Sequence, residues 1–317
     1  MFAETLRRRV KSWGAGLRAR RPSLRSLYDK CFFVFGCARS GTTSLCRILD
    51  KAENAVCLVE PNPNLNEESR KFLDGELPSP REALLGALLP RIREHLPSHQ
   101  RYGEKNNTLA AFIRELHELL RPRLIWVTRD GRDVVASLHN WHNRLFGNFY
   151  RECKDPGDLS EAAKACLAQL PLEADTSNYS RPRPRPGDPY YERWPDMSRH
   201  EMLCWYWAYI NRYAHQRLLD VPADRWLRVD YSAADRVEEV AQAVDFLGLK
   251  GISRDTIQGM LDHRINSLAD RTGTTDRLPG WRDWSDREMD QFWEIAGDTM
   301  TLLGYGRPKR TEAQGGT

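Results

Sequence analysis

The chain has 317 residues, of which 40% are hydrophobic and 29% charged, enough for one large α/β domain with a real core. The net charge of +4 is unevenly placed: residues 1–30 hold nine Lys/Arg against Glu4 and Asp29, so the remainder is slightly acidic and the basicity belongs to an N-terminal arm, 1–29. Seven scattered cysteines without a CxxC pair argue against a disulfide framework or a zinc site and for a reducing compartment. No apolar run approaches the roughly 18 residues needed to span a bilayer, so a soluble, cytoplasmic protein is expected.

The arm, with LRRRVKSWGAGLRARRPSLR, reads first as a solvated tail, with contact to an anionic lipid surface or to nucleic acid as the alternative; no specific nucleic acid is implied. Beyond it, 32–36 (Phe-Phe-Val-Phe-Gly) reads as a buried strand that runs into a turn and a helix with Leu45, Ile48 and Leu49 on one face. A second buried strand is expected at 55–59, ended by the loop of Pro61 and Pro63. Segment 108–120 has helical spacing (Leu109, Phe112, Leu116, Leu119). A strand at 123–128 and a helix opened by Asp133 follow. Residues 152–198 contain RPRPRPGDP and read as an irregular insertion, either a flap over the site or a surface loop. A long helix near 198–219, a strand at 226–229 and helices near 235–247 and 285–302 complete the order, with a tail from 307. Strand–helix alternation implies α/β architecture: a central parallel sheet with helices on both faces and ligands at the carboxyl ends of its strands.

Two segments carry chemistry. Gly36-Cys37-Ala38-Arg39-Ser40-Gly41-Thr42-Thr43 joins a strand to a helix start, where backbone N–H groups and the helix dipole favour an anion. Gly36 and Gly41 permit the tight turn, Ser40, Thr42 and Thr43 add hydroxyls, and Arg39 adds a cationic fork. A plain helix cap with a surface Arg is the simpler alternative. The loop is not of the GxxxxGK[ST] type, since Thr42-Thr43 stands where Lys-Ser/Thr would be. In the second segment Arg129 ends a strand and Ser137 sits early in the next helix, able to meet one phosphate together; a strand-end salt bridge of Arg129 with Asp130 or Asp133 is the alternative.

FVFGCARSGTTSL resembles the 5′-phosphosulfate loop of sulfotransferases that use PAPS (3′-phosphoadenosine-5′-phosphosulfate), commonly PRSGTT or PKSGTT. The Arg129–Ser137 spacing resembles that family's 3′-phosphate motif. The resemblance covers roughly residues 30–306 and implies a P-loop-containing nucleotide-binding fold, PAPS as co-substrate and no metal. It implies donor binding by Arg39, Ser40, Gly41, Thr42, Thr43, Arg129 and Ser137. Glu60-Pro61 resembles the Glu base of the tyrosyl-protein and heparan-type branches, with a structural carboxylate paired to a loop cation as the alternative. Lys105 in GEKNNT resembles the Lys that neutralises sulfuryl oxygens, with a surface Lys as the alternative. The place of the catalytic His of cytosolic members is taken by Asn107, and Ser44 stands where many of them stack a Trp on adenine. His139 and His142 are runner-up bases. Tyr231 resembles an adenosine contact, and Trp281 or Arg277 a closing residue over the donor; Tyr231 and Trp281 could equally be core. The expected function is sulfuryl transfer from PAPS to an unidentified acceptor: a hydroxyl of a carbohydrate, lipid, small molecule or protein, with an amine as the lesser alternative. A P-loop kinase-like phosphotransferase and a non-catalytic nucleotide- or glycan-binding relative are the rivals. The aromatics of YYERW and WYWAY, and the arginines of RPRPRP, are left as acceptor contacts or ordinary packing.

Overall fold

The computed structural model describes residues 24–146, 149–155, 157–169, 181–263 and 278–307. Most of the basic arm, Arg277 and the tail beyond 307 lie outside these. Five strands form one sheet: β1 Cys31–Gly36, β2 Ala55–Val59, β3 Arg101–Lys105, β4 Arg123–Thr128 and β5 Trp226–Asp230. Their order is β2-β3-β1-β4-β5 and every pairing is parallel. The helices are α1 Thr42–Leu49, α2 Asn66–Leu73, α3 Arg81–His95, α4 Ile113–Leu120, α5 Gly131–Trp141, α6 Glu161–Gln169, α7 Arg199–Leu218, α8 Arg236–Leu247, α9 Arg254–Asp262 and α10 Asp286–Leu302.

The period-2 geometry of a strand sends alternate side chains to opposite faces. Phe33, Phe35, Leu124 and Trp126 join one core with α3, α4, α5, α7 and α10, whereas Phe32, Val34, Ile125, Val127 and Val229 join a second with α1, α8 and α9. Both faces are therefore covered, which is why β1 reads as an unbroken apolar run. Each of its fully buried Phe side chains contributes roughly 1.5–3 kcal/mol. The α/β parallel sheet predicted from sequence is the architecture found.

β3 was not foreseen. Its sequence, Arg-Tyr-Gly-Glu-Lys, carries buried Glu104 and Lys105, and their charges hide the strand from a hydrophobicity reading. Three helices, α2, α3 and α9, also went unread; α3 has Pro90 inside it. Segment 108–120 begins as a 3-10 helix, Asn107–Phe112, before becoming α4, and Asp130 rather than Asp133 caps α5 by accepting from the Arg132 amide. The segment read as irregular contains the regular helix α6, whereas the Arg-Pro run at 181–185 has no regular structure. Long α7 starts at a capping box in which Ser198 and Glu201 satisfy each other's amides. Among the described residues no helix is long and apolar enough to cross a membrane, and no cluster of three or more His, Cys, Asp or Glu could hold a metal ion.

The chain leaves β1 towards β2 on one side of the sheet and leaves β4 towards β5 on the other. The crevice at this reversal lies outside the carboxyl ends of β1 and β4, where open α/β sheets bind ligands. Close approach of the two strands depends on Gly36: a Cβ there would lie 2.4 Å from the Val127 carbonyl oxygen. Gly36→Ala is expected to cost about 1–3 kcal/mol of stability, measured by urea unfolding.

Candidate active site

Two loops meet at the crevice. After β1 the chain turns through Arg39 (φ 68°) and Gly41 (φ 100°), and α1 starts at Thr42 with no side-chain cap. Its first amides are thus uncapped by any side chain, a geometry suited to an anion. Gly41 is required twice over, because its φ is left-handed and a Cβ would fall 2.3 Å from the Tyr231 ring that packs on the turn. Ser40 is fully buried within the loop.

After β4, Arg129 and Ser137 converge on the same turn. Arg39 donates from Nε to Ser137 Oγ at 3.2 Å, and Arg129 donates from Nη1 to the Arg39 carbonyl at 3.3 Å. Arg129 also lies 3.6 Å from Asp133, so the salt bridge open from the sequence exists beside the contact to the loop. The Arg39 guanidinium stacks 4.2 Å from the Trp141 ring centre. Burial, and then the neighbouring charge of Arg129, lower the Arg39 pKa to about 10. The guanidinium remains charged at neutral pH, in a place where an anion would relieve both effects.

Two cavities flank Arg39 and share it with Trp141. The larger, about 570 Å³, is lined by Gly41, Ser44, Arg129, Ser137, Asn140, Tyr231, Arg236, Leu261, His263, Leu278, Pro279 and Gly280 among others. Asp133 is its one acidic lining residue against three arginines, so its charge favours an anionic ligand. Burial pushes the Tyr231 phenol up to about 12, so it stays neutral there. The smaller cavity, about 240 Å³, is lined by Glu60, Asn64, Asn66, Asn106, Asn107, Thr108, Leu138, His142, Phe149, Arg181 and Tyr206 besides Ala38 and the shared pair.

Glu60 (φ 46°) follows β2 and forms an ion pair with Lys105 at the end of β3. The Lys105 side chain is 3% exposed and the Glu60 side chain 50%, so Glu60 is the partner a ligand can reach. Lys105 lines neither cavity and directs its charge at the carboxylate. The Glu60 amide donates to the Lys105 carbonyl at 2.8 Å, which ties this turn to the sheet edge. Thr42 donates to Asn107 Oδ1 at 3.3 Å, linking the first loop to the second cavity.

Other sequence candidates stand apart. Trp281 lines neither cavity; it lies between Arg132 and Arg282, 4.5 and 4.4 Å from their guanidinium carbons. Its neighbours Leu278–Gly280 reach the larger cavity, held by a 2.7 Å hydrogen bond from Asn140 to the Pro279 carbonyl. His139 lines neither cavity, and burial lowers its pKa to about 4; His142 lines the smaller one, edge-on to Phe149. Of the Arg-Pro run only Arg181 reaches a cavity, since Arg183 pairs with Glu152 at 2.6 Å and Arg185 lies 3.9 Å from Asp74. The WYWAY residues Trp205 and Trp207 are core, while Tyr206 reaches the smaller cavity.

The sequence reading missed Trp141 and the asparagines. Trp141 had a signal, standing four residues after Ser137 on the same helical face. The asparagines had none, because their convergence depends on unread β3 and α2. A buried network supports them: Arg91 donates from Nη2 to both Glu104 oxygens (2.9 and 3.1 Å) and from Nη1 to the Pro63 carbonyl (3.2 Å), while Tyr102 donates to Glu104 at 2.8 Å. The Asn64 carbonyl accepts from Asn106 and Thr108 at 2.8 and 2.9 Å.

No family model matches the chain, and no curated protein matches it. Three solved structures superpose on it over most of its length. A sulfotransferase from Alicyclobacillus acidocaldarius is 13% identical over 87% of this chain and 96% of its own, with a TM-score of 0.43. Sulfotransferase STF9 from Mycobacterium avium is 14% identical over 91% and 80%, TM-score 0.45. A retinol dehydratase, solved with androsterone and the inactive cofactor PAP, is 17% identical over 86% and 81%, TM-score 0.43. At such distances these likenesses carry no argument about activity, and the functional reading rests on the residues themselves.

Replacing Arg91 with Met strands the Glu104 carboxylate in the core and is expected to destabilise the fold by about 3–5 kcal/mol. Replacing Glu104 with Leu as well should recover part of that loss; both effects are read from denaturant midpoints.

Proposed function

We propose that this chain is a sulfotransferase that moves the sulfuryl group of PAPS to an acceptor hydroxyl and releases PAP. The observation that carries the reading is the contact of Arg39 with Ser137 and Arg129 on the wall between two cavities. It joins the two motifs that resemble the family's 5′-phosphosulfate and 3′-phosphate sites. The larger cavity suits the nucleotide: it has three arginines, an uncapped helix start at the loop and room for a nucleoside with two anionic ends. Gly41, Thr42, Thr43 and Arg39 would hold the 5′ end, with Ser40 shaping the turn, and Arg129 with Ser137 the 3′-phosphate. Tyr231 braces the loop beside the nucleoside. Trp281 lies one residue behind the wall formed by Leu278–Gly280, and its role is to support that wall through Arg132.

The acceptor enters the smaller cavity, with Glu60 at its edge. The acceptor oxygen attacks sulfur as the bond to the bridging phosphate oxygen breaks, and the hydroxyl proton passes to the Glu60 carboxylate. Arg39, lining both cavities, is placed to stabilise charge on the bridging oxygen as it leaves. Lys105 acts through Glu60, fixing the carboxylate; its buried side chain gives it this positioning role in place of direct contact with the sulfuryl oxygens. The expected place of work is the cytoplasm, and the basic composition of the arm suits contact with an anionic membrane surface.

Glu60→Gln should keep PAP affinity and lower turnover by about 10²–10⁴-fold in a labelled-PAPS assay. Arg129→Ala should weaken PAP by about 10–100-fold, measured by calorimetric titration. PAP should raise the melting temperature while ATP with Mg²⁺ does not; the reverse pattern would favour a kinase-like phosphotransferase.

A further inference from the structure

The smaller cavity has a chemistry of its own. At about 240 Å³ it falls below the roughly 300–1,000 Å³ of pockets that enclose drug-sized ligands, so it accommodates one ring-sized end of an acceptor. Four asparagines, Asn64, Asn66, Asn106 and Asn107, line it together with Glu60. Asn107 uses Oδ1 to accept from the Thr42 hydroxyl, and Asn64 uses Oδ1 to accept from the Asn66 backbone N–H at 3.2 Å, which leaves the Asn66 side chain uninvolved. Among the described residues no partner is present for the NH2 groups of Asn64 and Asn107 or for either end of the Asn66 amide. By contrast Asn106, which donates to the Asn64 carbonyl and accepts from the Thr108 amide, is fully used in holding the wall. The cavity therefore presents several open donors and one open acceptor beside the carboxylate, with the Trp141 ring as part of its wall.

A ligand bearing one polar atom on an apolar body would strip water from these amides and leave them unpaired, which opposes binding. A ring carrying several adjacent hydroxyls, each both donor and acceptor, satisfies them, while its C–H surface can pack on an aromatic wall. We propose that the acceptor is a carbohydrate: a sugar ring with its reacting hydroxyl at Glu60 and neighbouring hydroxyls bound by Asn64, Asn66 and Asn107. This rests on the sulfuryl-transfer reading and names its acceptor.

The test uses the full chain with labelled PAPS and a panel of methyl glycosides, 4-nitrophenol, hexan-1-ol and hexylamine, with PAP affinity measured in parallel. The expected result is transfer to at least one glycoside with a kcat/KM about 100-fold or more above the other three compounds. Asn66→Ala should raise the glycoside KM by about tenfold, with retained PAP affinity as the check that the chain is folded. Better turnover of the phenol, the alkanol or the amine, or no transfer to any glycoside by protein that binds PAP, overturns the carbohydrate assignment and leaves the donor reading standing. An unchanged glycoside KM in Asn66→Ala overturns the binding role given to the amides. Failure to bind PAP removes the donor reading, and this inference with it.

Discussion

The site is organised around one partly buried cation, the Arg39 guanidinium. Ser137 accepts from it and Trp141 lies under it, while Arg129 holds the turn that carries it by donating to the Arg39 backbone carbonyl. Burial first, and the nearby Arg129 charge second, depress the Arg39 pKa, and an anion bound beside it would relieve both costs. The arrangement is prepared for negative charge before any ligand arrives, which is the form electrostatic preorganisation takes in transfer enzymes.

The backbone carries a related cost. Arg39 and Glu60 both adopt left-handed φ without being glycine, a conformation that costs of order 1–3 kcal/mol per residue and persists where the surroundings over-determine it. Arg39 lies in the turn after β1 and Glu60 directly follows β2, and each is anchored across the sheet's rim, Arg39 to Ser137 and Glu60 to Lys105. The rigid sheet thus offsets the strain of two residues that line the smaller cavity. It also explains why the two cavities share a wall: β1 and β4 are adjacent at the reversal of strand order, and β3 brings the Glu60 turn alongside.

Much of this was legible in the sequence because it is written in residue types with few alternatives. Phe32–Phe35 has the composition of a strand buried on both faces. Gly36 and Gly41 mark a turn no other residue makes easily, and Arg129 and Ser137 lie at a spacing that a strand end and a helix turn bring together. What escaped was written in pairings. β3 looks like polar loop until Arg91 and Tyr102 are seen around Glu104, and until Glu60 is seen on Lys105. The asparagines of the smaller cavity come from the turn after β2, the start of α2 and the end of β3, and no local pattern announces that they converge. Trp281 carries a motif that resembles a donor contact, and the structure places its ring between Arg132 and Arg282, with its neighbours Leu278–Gly280 on the cavity wall.

Two separate anion clamps gripping one nucleotide would separate PAP from adenosine 5′-phosphate, which lacks the 3′-phosphate, in a calorimetric titration of both ligands. With Arg129 and Ser137 holding that group, PAP should bind about 100-fold more tightly, and the advantage should shrink as salt is raised. Equal affinity for the two nucleotides would contradict the account.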